Sequence, residues 1–300
     1  MASSKPSYTV PLHGNYHAYY QKRGSDFEGD ERLALLPPGI FHGKRVLDIG
    51  CNEGYVTCEI AQRHGARQVV GVDIDAELVS LAWKRRRYLW SLQKPAHLDI
   101  TAATGKRKRR EETHGKPASN NSASSTRSAD DFHYFPAALQ HMLGPLPLPR
   151  PNFNVVSTSF PHNVSFVASD WAANGCHLDS QGYSVVVALS VTKWIHLNDG
   201  DDGIRRVFNR VYDVLQPGGV FVLEVQPSDS YHKARRMHPR LKAVKLELKP
   251  EQFGEELVKL GFQEQDISIE DANEGGFKRP LRIYTKPQLL DCSSRTCREV

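Results

Sequence analysis

The sequence has no long apolar run. Nowhere in its 300 residues are there the 18 or so consecutive apolar side chains needed to cross a bilayer. The opening MASSKPSYTV lacks the apolar stretch of a secretory signal, so the expectation is a soluble, intracellular protein with no membrane partner. Cysteine is scarce. The five present, Cys51, Cys58, Cys176, Cys292 and Cys297, are odd in number and never spaced as C-x-x-C. A disulfide framework and a structural zinc are therefore not expected, and the thiols should be reduced. No charge of one sign dominates either: 39 Lys and Arg against 34 Asp and Glu leave a net +5, which suits a polyanionic partner without requiring one. What is present in quantity is apolar surface, 39% of residues, enough for a sizeable core.

The chain is organised around KRVLDIGCNEG, Lys44 to Gly54. A short apolar strand runs into glycines and then into a helical pattern, making a turn whose backbone can approach a ligand closely. The helix should span Tyr55 to His64, ended by Gly65. A second apolar run, Gln68 to Asp73, ends in a carboxylate some 20 residues past the turn, the distance at which such a unit brings an acid to the ribose of a bound nucleoside. The dinucleotide fingerprint wants three glycines. Here Asp48, Gly50 and Gly54 read D-x-G-x-x-x-G, which resembles the first motif of class I S-adenosylmethionine-dependent methyltransferases. Another nucleotide-binding Rossmann protein and a purely structural turn remain open at this point.

The flanking segments are less specific. Residues 1–12 should be disordered, and His13 to Arg23 packs three tyrosines and two cations into eleven positions. Aromatics interleaved with cations stack bases and hold phosphates; the plainer reading is an amphipathic segment covering the sheet edge. Asp30 to Leu36 predicts a short helix. A longer one follows Asp75, with Leu78, Leu81, Ala82, Leu89 and Leu92 at helical spacing and KRRR, Lys84 to Arg87, read either as a solvated face or as a nucleic-acid contact. From about residue 94 to 151 the composition turns to Ser, Ala, Asn, Pro and charge, predicting a disordered basic insertion, with a short helix at Phe135 to Leu143. Its KRKRR run, Lys106 to Arg110, reads as a nuclear-localisation signal, an RNA tether or a solvated loop.

Regular structure resumes with a strand at Asn163 to Ser169, followed by Asp170, which stands where a methyltransferase sheet offers an acid to the adenine amino group. Ile74, Trp171 and Leu189, with Asn52 in the turn, complete the expected donor-binding set. Tyr183 to Leu189 is a buried parallel strand delivering Ser190 to His196 to the crevice at the carboxyl edge. Lys193, Trp194 and His196 are substrate-side candidates there, with packing as the alternative for Trp194 and backbone satisfaction for His196. Ile204 to Leu215 is an amphipathic helix and Val220 to Val225 the fifth strand; Asn198, Asp199, Asp201 and Asp202 read as the helix's capping turn and not as a metal loop. SDSYHKARR then brings Tyr231, Lys233, Arg235 and Arg236 to the same edge. Pro250 to Leu260 is a helix, and Gln263 to Glu270 and Leu281 to Thr285 are strands with no helix between them, which must pair antiparallel.

Taken together, GNYHAYY with Arg23, VLDIGCNEG, VVGVDID, ALSVTKWIHLNDGDDGIRR, LQPGG, LEVQPSDSYHK, LKPEQF and GFKRPLRIY resemble the methylphosphate capping enzyme or Bicoid-interacting-protein family of RNA methyltransferases. The resemblance implies an α/β, class I methyltransferase Rossmann-like fold: a mostly parallel seven-stranded sheet with an antiparallel edge strand and helices on both faces. It implies a single domain over residues 13–290, a tail at 291–300 and a monomer. It implies transfer of a methyl from S-adenosyl-L-methionine, without a metal, to a terminal phosphate of a small noncoding RNA in the nucleus, with ribonucleoprotein proteins as further partners. Tyr19, Arg23 and Lys233 match family positions that hold the 5′ phosphates, and Tyr16 and Tyr231 fall beside them. The chain departs from the family pattern at Val225, where proline is usual, and at Ser228, where an aromatic is common. Two other functions stay open at this point: a methyltransferase acting on a protein or small metabolite, and a non-catalytic RNA-binding scaffold.

Overall fold

The computed structural model describes residues 12–14, 29–92, 144, 145, 148, 158–265 and 279–288. The chain divides into two units, residues 1–86 with 149–300, and residues 87–148. Tyr16, Tyr19, Arg23, the KRKRR run, the Phe135–Leu143 helix and the tail all lie outside the described residues.

The first unit is built on β1 (Arg45–Ile49), β2 (Gln68–Asp73), β3 (Val164–Ala168), β4 (Tyr183–Leu189), β5 (Leu215–Glu224), β6 (Gln263–Glu264) and β7 (Leu281–Thr285). The spatial order is β3-β2-β1-β4-β5-β7-β6, seven strands in one sheet. The first five pair parallel, and β7 runs antiparallel to both β5 and β6. This is the expected mostly parallel sheet with a reversed edge, the class I methyltransferase fold. Every residue of β1 is buried, and β4 is buried at all but Ser184, which is why their sequences read as apolar runs and not as alternations. The one charge in β1 outside the site, Arg45, is satisfied by Gln68 Oε1 and by the carbonyls of Gly182 and Leu178, at 2.7–2.9 Å.

The helices are α1 (Glu31–Ala34), α2 (Tyr55–Arg63), α3 (Ala76–Leu92), α4 (Trp171–Asn174), α5 (Thr192–Val214), α6 (Ser228–Arg235), α7 (Pro239–Ala243) and α8 (Phe253–Lys259). Leu78 and Ala82 of α3 are fully buried, as the helical spacing predicts. The KRRR run on α3 divides. Arg85 lies over the Tyr55 ring, and Arg86 over Trp83 with its guanidinium toward the Pro161 and Val164 carbonyls, so these two belong to the fold. Within the second unit, Arg87 donates to Pro145 O at 3.4 Å.

One expectation needs revising. The sequence starts the helix near Ile204, with Asn198, Asp199, Asp201 and Asp202 as the capping turn before it, but α5 begins at Thr192, takes those four residues in and is only interrupted at Gly200 (φ 69°, ψ −166°). The cause is a tight reversal at the end of β4. Ser190 takes a positive φ of 62°, and the Gln226 side chain donates to Ser190 O at 2.5 Å while accepting from Lys193 N at 3.2 Å. With its first turn held this way, the segment Thr192–Asp199 buries Trp194 and Leu197 against Tyr231, Ala234 and Leu241. The SDSYHKARR segment is likewise helical, as α6, for the same reason.

Candidate functional site

Strand order reverses between β1 and β4, so a crevice opens at their carboxyl ends, where open parallel sheets bind ligands. The turn after β1 puts Gly50 (φ 77°), Asn52 (φ 50°) and Gly54 (φ 75°) in the left-handed region within five residues. At Gly50 the constraint is also steric: a Cβ there would come within 2.7 Å of Val191 Cγ2. The turn is stitched to β2. Gly50 N and Cys51 N both donate to Val72 O, at 2.9 and 3.0 Å, and Asn52 N donates to Asp73 Oδ2 at 2.8 Å. The other Asp73 oxygen accepts from Asp75 N at 3.0 Å, so one carboxylate braces both the glycine turn and the start of α3. Burial raises the Asp73 pKa above the ordinary carboxylate value, partly opposed by these two backbone donors.

A cavity of about 170 Å³ occupies the crevice. One wall is formed by Ile49, Gly50, Val72, Asp73 and Ile74, and its end by Ser169, Asp170, Trp171 and Ala172. Val191, Trp194 and Ile195 face them from the start of α5, and His13, Asn198, Asp199 and Arg240 border the same space. Asp170 caps α4, accepting from Ala173 N at 3.1 Å, which fixes its carboxylate at the cavity's end. Trp171 is held by its indole N–H donating to Asp179 Oδ2 at 3.0 Å.

Beside this cavity stands a group of cations. Lys193 has its pKa pushed down to about 8, first by burial and then by repulsion from Arg279 and Lys233. Contacts bring the three together: Arg279, from the segment before β7, reaches Ser190 at the approach to α5, and Tyr231 and Ala234 of α6, which flank Lys233, pack with Trp194 beside Lys193. Beneath them lies a buried ion network. Arg32 forks onto Asp30 at 2.6 and 2.7 Å and reaches Glu224 Oε2 at 2.6 Å. Ser190 Oγ donates to the same Glu224 oxygen at 2.6 Å and accepts from Arg279 Nη1 at 2.8 Å. Arg279 also approaches the other Glu224 oxygen, at 3.7 Å. Two guanidinium groups against two carboxylates keep the buried charge balanced.

A model described as Bicoid-interacting protein 3 matches residues 183–286, and a methyltransferase-domain model matches residues 46–108. A probable RNA methyltransferase of Arabidopsis thaliana is 32% identical over 284 residues, covering 91% of this chain and 80% of the plant protein. The chain belongs to the Bicoid-interacting protein 3 family. Other similar members of that family's kind are the 7SK snRNA methylphosphate capping enzyme of Mus musculus, 36% identical over 91% of the chain, and the U6 snRNA methylphosphate capping enzyme Amus of Drosophila melanogaster, 29% identical over 91% of it. The chain spans 40% of the length of the mouse enzyme and 74% of the fly one. Among solved structures, the magnesium protoporphyrin IX methyltransferase of Synechocystis is 11% identical with a TM-score of 0.49, covering 95% of this chain and all of its own.

Within this family member, the residues expected from sequence occupy three kinds of place. Gly50, Asp73, Ile74, Asp170, Trp171 and Trp194 line the cavity. Asp48, Asn52, Gly54 and Leu189 stand behind its wall. Asp48 is buried, accepts from Thr57 Oγ1 at 2.6 Å and has its pKa raised by burial to about 6. Gly54 starts α2 where a Cβ would meet Phe166 and Ala82, and Leu189 ends β4 in the interior. The third place is the cation group beside the cavity, with Lys193 and Lys233. His196 and Tyr231 lie under it. His196 is fully buried: Nε2 lies 2.7 Å from Asp201 Oδ1 and Nδ1 3.3 Å from the Tyr231 hydroxyl, so the partners assign the proton to Nε2. Burial lowers the His196 pKa and raises that of Tyr231.

Sequence reasoning assigned no role to Arg32, Ser190, Glu224, Gln226 or Arg279. Glu224, Gln226 and Arg279 sit in stretches that carry the family resemblance, which was the available signal. Arg32 gave none, because its partner Glu224 is 192 residues away.

Proposed function

We propose that the chain is an S-adenosyl-L-methionine-dependent methyltransferase that modifies a terminal phosphate at the 5′ end of a small noncoding RNA. The observation that carries this reading is the adjacency of a glycine-walled, acid-lined cavity to the Lys193, Lys233 and Arg279 group. The cavity's residues fit the donor. Gly50 leaves room at the turn that a Cβ would fill, Asp73 offers a carboxylate suited to ribose hydroxyls, and Asp170 one suited to an adenine amino group. When bound, the donor supplies an electrophilic methyl on a sulfonium.

The chain's own contribution is to bind and orient. A terminal phosphate has its second pKa near 6, so at neutral pH it is already the nucleophile and needs no base. Cations that hold it in line reduce catalysis to positioning, which effective molarities make worth several kcal/mol. Arg279 offers a planar fork and the lysines offer point charges. A hydroxyl acceptor would need a proton acceptor; His196 has both nitrogens engaged, by Asp201 and by Tyr231, which leaves His13, at the border of the cavity, as the imidazole that such a reading would have to use. The family's snRNA enzymes make RNA the natural carrier of that phosphate, and the Lys106–Arg110 run suits a nuclear address.

Radiolabelled methyl transfer to 5′-triphosphorylated small RNA tests the reading. Phosphatase treatment of the RNA should abolish incorporation. Label that survives it, or that enters protein or small metabolites instead, would overturn it. Tight RNA binding with no heat from S-adenosyl-L-methionine would assign a scaffold.

A further inference from the structure

The chain's positive charge is concentrated. Residues 232–249, HKARRMHPRLKAVKLELK, hold seven Lys or Arg against one acid, Glu247, an excess greater than the +5 of the entire sequence. Helices α6 and α7 and the segment after them carry it. The fold consumes Arg235, whose guanidinium donates to Val244 O. Lys233, Arg236, Arg240, Lys242 and Lys245 are exposed, and among the described residues none of them is in an ion pair.

A solvated protein surface ordinarily interleaves the two signs, because like charges held close together repel. Here they are held on a fixed base. Tyr231, Ala234 and Leu241 pack with Trp194 and Leu197, Met237 and Leu246 close that cluster, and Asp201 Oδ2 accepts from the N–H groups of Glu247 and Leu248, both at 3.0 Å. The charge also begins at the site: Arg240 borders the donor cavity, and Lys233 belongs to the group that repels Lys193. A rigid, unneutralised basic surface leading away from a reaction centre is electrostatically matched to a chain of phosphates.

We propose that α6, α7 and the segment to Lys245 form a track for the phosphodiester backbone of single-stranded RNA leaving the reaction site. The proposal rests on the reading of the acceptor as an RNA terminus and extends it to the nucleotides behind that terminus. Such a track reads no bases. It neutralises phosphates and releases their counterions, so its signature is the salt dependence of binding.

The variant Arg236→Gln/Lys242→Gln/Lys245→Gln removes three exposed charges that make no hydrogen bond among the described residues. Fluorescence anisotropy of a 5′-triphosphorylated RNA of about 20 nucleotides, titrated at several salt concentrations, should show the slope of log affinity against log salt made shallower by about 2, roughly 0.7 for each phosphate no longer neutralised. In methyl transfer, KM for that RNA should rise while a triphosphorylated dinucleotide is methylated as by the unaltered protein. A wild-type slope in the triple variant overturns the track. Failure of the enzymatic reading looks different: no methyl transfer by the unaltered protein to any RNA, with the slope change intact. Binding of polyglutamate but not RNA, abolished in the same variant, would assign the surface to an acidic protein and also overturn the proposal. If the triple variant melts early, Lys242→Gln and Lys245→Gln alone should each reduce the slope by about 0.7.

Discussion

The donor cavity and the charged group beside it are built in opposite ways. The donor wall comes from consecutive turns of one βαβ unit, Ile49 to Asp75, closed by Asp170 at the end of the neighbouring strand, and its specificity lies in backbone geometry and two carboxylates. The acceptor wall proposed beside it is assembled from residues far apart in sequence, Arg32, Ser190, Lys193, Glu224, Lys233 and Arg279, and would act through charge. A wall made of turn geometry fails through shape; a wall made of charges fails through balance. The difference can be tested one substitution at a time.

The largest effect should come from the balance. Glu224 is buried and faces both Arg32 and Arg279, and Glu224→Ala removes one of the two carboxylates that balance them, leaving Asp30 on Arg32. Breaking a buried pair this way costs about 3–5 kcal/mol. Melting followed by circular dichroism should show a fall of roughly 10 °C, at 2–4 °C per kcal/mol for a domain of this size. A shift of under about 2 °C would mean that Glu224 is not the acceptor wall's counter-charge.

That network also marks where the sequence stopped being readable. The sheet, its reversed edge and the donor wall were legible because their signals are local: β1 and β4 are apolar runs, Gly50 and Gly54 a fixed spacing, and Asp73 a strand end. The start of α5 was not, since Thr192 to Trp194 depend on a distant Gln226 to hold the turn after β4. Nor was Arg32, which reads as one more helix cation until folding sets it against Glu224. The cations at Lys233, Arg235 and Arg236 were legible, but their continuation through Arg240, Lys242, Lys245 and Lys249 was not, because the rest of the sequence offsets it in the net charge.

Next in size is Lys233→Ala. A hydrogen bond to a charged partner is worth about 1.5–3 kcal/mol, so kcat/KM for triphosphorylated RNA should drop roughly 10- to 150-fold. The affinity for S-adenosyl-L-methionine, measured by calorimetry, should stay within about twofold, since Lys233 belongs to the other wall. Equal loss of both would erase the distinction between the walls. The converse variant is Gly50→Ala. A side chain at φ 77°, 2.7 Å from Val191 Cγ2, costs about 1–2 kcal/mol of backbone strain before any displacement of Val191. Donor affinity should weaken about 5- to 30-fold, with RNA affinity and its salt dependence unchanged.

The finest test separates the cations from one another by pH. Lys193 has its folded pKa lowered to about 8 by burial and by Arg279 and Lys233, so in the free protein it begins to lose its charge just above neutrality. An ammonium holds a phosphate only while protonated, and kcat/KM reports the free enzyme. The profile for triphosphorylated RNA should therefore rise as the phosphate ionises around pH 6, be level near neutrality and decline through about pH 8. Donor affinity should show no such limb. Lys193→Arg keeps a cation that stays protonated throughout this range, and its profile should remain level past pH 9. A decline at the same pH in that variant would assign the limb to another group. A profile that stays level through about pH 8 in the unaltered protein would mean that Lys193 does not touch the phosphate and that Lys233 and Arg279 carry the acceptor wall without it.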